Sequence, residues 1–173
     1  MQIDMLAKRS SYDELVAAFR PGDESADFHG TTLLHQALGN GDLDARYAIA
    51  AFLLDAGADP ARLGPDGYGV LHVLFGQNKH DLPRTVELTR RLLDGGARLD
   101  VVDDRRHTVP LHELVTMKLT DADLAPLYDV VLAHRDLGLD VRNAAGLTPL
   151  DLARNLPYRA DLVRRLESHD TAT

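Results

Sequence analysis

Three histidines recur along the chain at nearly even spacing, His35, His72 and His112, and Asp151 stands where a fourth would fall, with intervals of 37, 40 and 39 residues. Imidazole is the commonest metal ligand and titrates near neutral pH, so this series is the first candidate for metal or acid-base chemistry. Its spacing argues against both. Equivalent positions on stacked units lie about one helix-packing distance apart, roughly 8 to 10 Å, whereas the ligands of one zinc ion must each approach to about 2 Å. Such histidines cannot share an ion. His112-Glu113 lacks a second histidine four residues after the first, and no P-loop, G-x-S-x-G or G-x-G-x-x-G spacing occurs. Asp100, Asp103 and Asp104 lack the glycine and the later Glu of a calcium loop. The tightest polar cluster, Asp103, Asp104, His107 and His112, is the one constellation the chain offers to an enzyme or a small-ligand binder. The expectation is no catalytic residue, no metal and no cofactor.

What positions these residues is an internal repeat, which must be recognised before any fold is assigned. Four segments share a small or β-branched residue, an apolar residue, Leu, and then the polar position: Thr32-Leu33-Leu34-His35, Gly69-Val70-Leu71-His72, Val109-Pro110-Leu111-His112 and Thr148-Pro149-Leu150-Asp151. Each opens an apolar run of helical period, such as Leu34, Ala37 and Leu38. A second apolar run follows in each unit. Two of these end in Asp55-Ala56-Gly57 and Asp94-Gly95-Gly96, where glycine predicts a left-handed helix cap. The third, ending Ala133-His134-Arg135, has lost that glycine.

These motifs resemble the ankyrin repeat, whose signature is T-P-L-H-x-A within a β-turn followed by two helices. Thr32-Leu33-Leu34-His35-Gln36-Ala37 departs from it at one position, and Thr148-Pro149-Leu150-Asp151-Leu152-Ala153 carries Asp for His. The resemblance covers roughly residues 27 to 166. It implies an all-α solenoid of helix-turn-helix units with short β-turn fingers and capping helices at both ends. It also implies a structural role for the repeated His, bonded near the finger base, which Asp151 would fill in the last unit. The 173 residues then form one domain, with a helical cap over 1–26, repeats over 27–63, 64–102 and 103–142, a closing repeat over 143–167 and a frayed tail over 168–173. Ser11-Tyr12-Asp13-Glu14 has the spacing of a capping box.

The period of 37 to 40 exceeds the usual 33 or so. The extra residues fall between the paired helices, at Asn40 to Arg46, Gly76 to Arg84 and Met117 to Ala125, where loops accept length changes cheaply. On the opposite, concave side the fingers would present Arg62, Asp66, Tyr68, Asp103, Asp104, Arg105, Arg106 and Arg142. The first helices would add Gln36, Asn40, Gln77, Glu113 and Thr116.

Charge narrows the partner. The formal net charge is -8, with 22 Asp against 5 Glu and 16 Arg against 3 Lys, and there is no cysteine. An acidic total disfavours the broad phosphate-backbone binding that needs clustered positive charge. No cysteine excludes disulfide frameworks, thiolate zinc sites and cysteine nucleophiles. No stretch approaches the roughly 18 apolar residues of a membrane span. The expectation is a cytoplasmic, non-catalytic module that binds a protein through its concave face or inter-helix loops, with no nucleic acid and no membrane. One version is an immunity or inhibitor protein neutralising a basic toxin enzyme; a small-ligand binder or enzyme is the other class.

Overall fold

The computed structural model describes residues 2–170. Among them are ten α-helices and two 3-10 turns: α1 (Ile3–Arg9), α2 (Tyr12–Ala18), α3 (Leu33–Leu38), α4 (Leu43–Asp55), α5 (Val70–Phe75), α6 (Leu82–Asp94), α7 (Pro110–Val115), α8 (Asp121–Leu132), α9 (Pro149–Arg154) and α10 (Ala160–Asp170). The odd-numbered helices pack side by side in one layer and the even-numbered helices in a second, so the chain is an all-helical, solenoid-like stack of pairs. None of the helices among the described residues is long and apolar enough to cross a membrane. Helix α10 continues through Ser168 and His169 to Asp170, where a frayed end was expected; the rest of that tail, 171–173, lies outside the described residues.

Of the odd-numbered, inner helices, α3, α5 and α7 are buried along nearly their whole surface, and the even-numbered helices lie outside them. In α5, Val70, Leu71, His72, Leu74 and Phe75 are all buried, and α3 and α7 repeat the pattern. A continuous core runs from Ala7 to Leu166. The outer helices end where the sequence placed their stops. Gly57 (φ 99°) and Gly96 (φ 107°) take the left-handed conformation that costs glycine no Cβ clash. Ala58 N–H then donates back to Leu53 O and Ala97 N–H to Leu92 O, each at 2.9 Å, which satisfies carbonyls the helix end leaves open. Helix α8 has no such glycine, and the left-handed position moves on to Gly138 (φ 63°).

No β-strand occurs among the described residues. Tight turns occupy the places where β-turn fingers were expected, and isolated antiparallel bridges close two of them, Phe28 with Thr31 and Asp103 with Thr108. At the first, His29 and Gly30 both have positive φ, the signature of a two-residue type I′ hairpin.

The long links between paired helices are tied down from inside by two buried arginines. Arg46, 2% exposed, donates from Nε to Asn40 O at 2.8 Å and from Nη1 to Lys79 O at 2.6 Å. Arg159, fully buried, donates to Val115 O at 2.7 Å, to Leu119 O at 2.8 Å and to Met117 O, and lies 3.4 Å from Asp121. Each guanidinium therefore replaces its lost water with carbonyls of a link that has no regular structure, which is how a buried charge is made tolerable. Asn40 is also buried. Its Nδ2 donates to Ala7 O and Ser10 O, both at 3.1 Å, and it anchors the N-terminal helix pair where groove exposure was expected.

Arg159→Met would leave several buried carbonyls without a donor. It should lower the free energy of unfolding in urea by about 3 kcal/mol or more. Arg90→Met, at a side chain that is 55% exposed and 3.7 Å from Glu87, should stay within about 0.5 kcal/mol. Equal losses from the two would refute the clamp.

Candidate functional site

The repeated polar residue occupies the third helical position of α3, α5, α7 and α9, where a side chain can reach back to the N–H groups that a helix start leaves unsatisfied. In α5 and α7 the residues before the helix, Gly69 and Val109, have no side-chain acceptor. His72 Nδ1 and His112 Nδ1 instead accept the Gly69 and Val109 N–H groups, both at 3.1 Å. A backbone N–H can only donate, so the proton of each ring sits on Nε2. From there His72 donates to Thr108 O at 2.9 Å and His112 to Leu147 O at 3.0 Å, each in the next repeat. Asp151 does the local half of this work, accepting Thr148 N–H at 3.2 Å. In α3, Thr32 Oγ1 lies 2.9 Å from His35 Nδ1. His35 Nε2 feels the Tyr68 carbonyl but closes no hydrogen bond, and the Tyr68 ring stands edge-on over it at 5.5 Å.

With both ring nitrogens of His72 and His112 committed to backbone, neither is poised to ligate a metal or relay a proton. The Asp103, Asp104, His107 and His112 cluster does not assemble around His112. His107 is instead a turn residue (φ 53°) whose N–H donates to Asp103 O at 2.7 Å. Among the described residues no three His, Cys, Asp or Glu are placed to hold a metal ion.

Of the thirteen surface residues singled out by sequence, six line one open hollow of about 480 Å³: Tyr68, Gln77, Asp103, Arg105, Arg106 and Glu113, together with His72, Val73 and Gly76. Four segments supply them: the turn before α5, α5 with the residues just after it, the 103–108 turn, and α7 itself, which carries Glu113. Asp66 (φ 60°) sits at the tip of the first turn, its carboxylate 3.4 Å from Arg105 Nε. Asp104 N–H donates to Asp66 O at 2.7 Å, which holds the two turns together. Asp103 Oδ1 accepts the Arg105 N–H at 2.7 Å, and Arg106 reaches Glu113 Oε1 at 3.5 Å.

Two of the turn arginines lie elsewhere. Arg62 is turned toward the preceding unit, bonded to Ser25 O at 2.7 Å and Asp27 at 3.2 Å. Arg142 holds Gly146 O at 2.8 Å and Asp151 at 3.4 Å. It borders a separate hollow of about 600 Å³ with Asp100, Arg135, Asp136 and Asp140. All four turn arginines are therefore already paired with carboxylates of the same chain. Val73 and Gly76 were not singled out by sequence; the glycine that ends α5 carried a signal of chain reversal only.

A protein from Leptotrichia buccalis C-1013-b, described as functionally unknown, has a crystal structure similar to this chain, with a TM-score of 0.87 and 20% sequence identity. The likeness covers 99% of this chain and 93% of that one. At that identity it shows the shared fold alone. No protein-family model matches the chain, and no curated protein matches it.

Burial pushes the imidazoles down, His35 to about 4, with His72 and His112 also lowered by desolvation that their backbone bonds only partly offset. A histidine lowered on folding binds more protons when unfolded than when folded at any pH between the two values. Its contribution is therefore complete above the unfolded value of about 6.5 and declines as the medium is acidified toward the folded value. For His35 the decline extends to about 4. Urea unfolding midpoints should fall steadily from pH 7 to pH 5, with His35 alone contributing a slope of up to about 1.4 kcal/mol per pH unit. A midpoint that stays flat over that interval would refute the neutral, buried assignment.

Proposed function

We propose that the chain is a non-catalytic, ankyrin-type repeat protein that binds a protein partner through the face formed by the inter-repeat turns and the exposed sides of the inner helices. The observation that carries this reading is the convergence of Tyr68, Gln77, Asp103, Arg105, Arg106 and Glu113 on one open polar hollow, while the rings of His72 and His112 are taken up by backbone groups. The T-P-L-H-like motif at the start of each inner helix, its bond to the next repeat, and bridge-closed turns in the finger position support the ankyrin-type assignment.

The face mixes charges, with Arg105 and Arg106 more than 70% exposed beside Asp66 and Glu113. Such a surface suits the polar rim and arginine content of protein interfaces. The inter-helix links are the rival surface. Their exposed Lys79 and Lys118 project from backbone that Arg46 and Arg159 hold from beneath.

The net charge of -8 favours a basic partner, since complementary charge accelerates encounter. It supports the more specific reading of an inhibitor or immunity protein for a cationic enzyme. That version predicts that co-expression relieves the toxicity of a neighbouring gene's product; no relief and no toxin-like neighbour would end it.

For the module itself, a partner captured from native lysate should lose about tenfold or more in affinity with Tyr68→Ala, the size of a modest interface hot spot. Lys79→Glu and Lys118→Glu should leave affinity unchanged. The opposite pattern would move the interface to the link edge, and no saturable partner at gentle salt would count against the module.

A further inference from the structure

We propose that the hollow between α5 and α7 receives an arginine side chain of the protein partner, with Glu113 as its anion. This inference rests on the protein-binding reading and names the group that the face recognises. Glu113 is the one carboxylate lining the hollow from an inner helix, and its side chain is only 14% exposed. Its Oε1 is engaged, accepting from Thr108 Oγ1 at 3.3 Å and lying 3.5 Å from Arg106 Nη1. Its Oε2 faces residue 76. A Cβ there would come within 3.8 Å of that oxygen and within 2.9 Å of His72 O. A side chain at 76 would crowd both atoms, and the bare Cα of glycine leaves room beside Oε2.

The neighbouring groups are acceptors too. Gln77 spends its Nε2 on Val73 O at 2.8 Å, which leaves its Oε1 for an incoming donor. Tyr68 adds an aromatic wall. A cation rich in donors meets this set better than an anion would. A flat guanidinium meets it better than an ammonium, because it can fork across two acceptor oxygens and also lie on a ring face.

Two arginines stand at the rim, and their own charge opposes a cation. Each is held loosely by an acid of this chain, Arg105 at 3.4 Å and Arg106 at 3.5 Å, with side chains 78% and 71% exposed. Contacts that long and that wet bind weakly. An incoming guanidinium seated at Oε2 leaves the existing Oε1 contacts in place. With Asp66, Asp103 and Glu113 against Arg105 and Arg106, the rim and floor together keep an excess of acid.

The test uses short capped peptides as probes, Ac-Gly-Arg-Gly-NH2, with Lys and Asp versions beside it, followed by amide chemical shifts of the full chain. The arginine peptide should move the Gly76, Gln77 and Glu113 amides in a saturable way at millimolar concentration, and the aspartate peptide should not. Glu113→Gln, which keeps the shape, should weaken that binding about tenfold, the equivalent of one charge-assisted hydrogen bond. Gln77→Ala should weaken it less, and its own fold is checked by the same spectra. Preference for the aspartate peptide, tighter binding in Glu113→Gln, equal binding of lysine and arginine peptides, or no saturable shift would each overturn the proposal. A captured partner that needs Tyr68 but ignores Glu113→Gln would overturn it while leaving the binding module intact. Arginine binding in a chain that captures no partner would do the reverse.

Discussion

Six-residue helices such as Leu33–Leu38, Val70–Phe75 and Pro110–Val115 close too few hydrogen bonds to offset the cost of nucleating a helix, and in isolation each would be coil. They exist because a neighbour covers each flank. That constraint orders the rest of the molecule. It demands apolar residues almost all round the inner helices, a paired outer helix behind each, and a cap at each end of the row. It also explains why a polar residue is tolerated at the fourth motif position. His72 and His112 satisfy their own helix start with one nitrogen and the next repeat's backbone with the other, so each imidazole replaces two solvent contacts with two internal ones.

Much of this was legible in the residues. The Leu and His motif marks the inner helices because its apolar positions recur at helical period, and Gly57 and Gly96 mark outer-helix ends because left-handed backbone favours glycine. Ser11 and Glu14 form the capping box that their spacing foretold. The hollow was legible in part, since turn residues and the exposed side of a short helix must share an edge. What the sequence hid are the contacts that run from side chain to backbone. Arg46 and Arg159 look like ordinary surface charges, because their partners are carbonyls and a carbonyl leaves no mark on residue type. Asn40 was placed on the open face for the same reason. Nothing in its identity shows that two carbonyls of the N-terminal pair lie within its reach.

Pairing within the chain alters how its charge should be understood. Four turn arginines that looked available to an outside carboxylate each have one of their own at 3.2 to 3.5 Å. The outer layer does likewise, where Arg84 meets Asp44, Arg91 meets Asp55 and Arg165 meets Asp129 across successive units. Such pairs stabilise little individually, but they leave the acidic surplus as the part of the surface field that reaches the solvent.

The repeat interval has a kinetic meaning as well. The bonds that join one unit to the next span 30 to 44 residues, from Asn40 back to Ser10 and from Arg159 back to Val115. No larger loop has to close before such a unit is rewarded, so the entropic cost of each closure is much the same along the chain. Assembly can begin at any adjacent pair and spread both ways. The buried guanidinium of Arg159 closes one such loop, from the last described helix pair back onto the link before it.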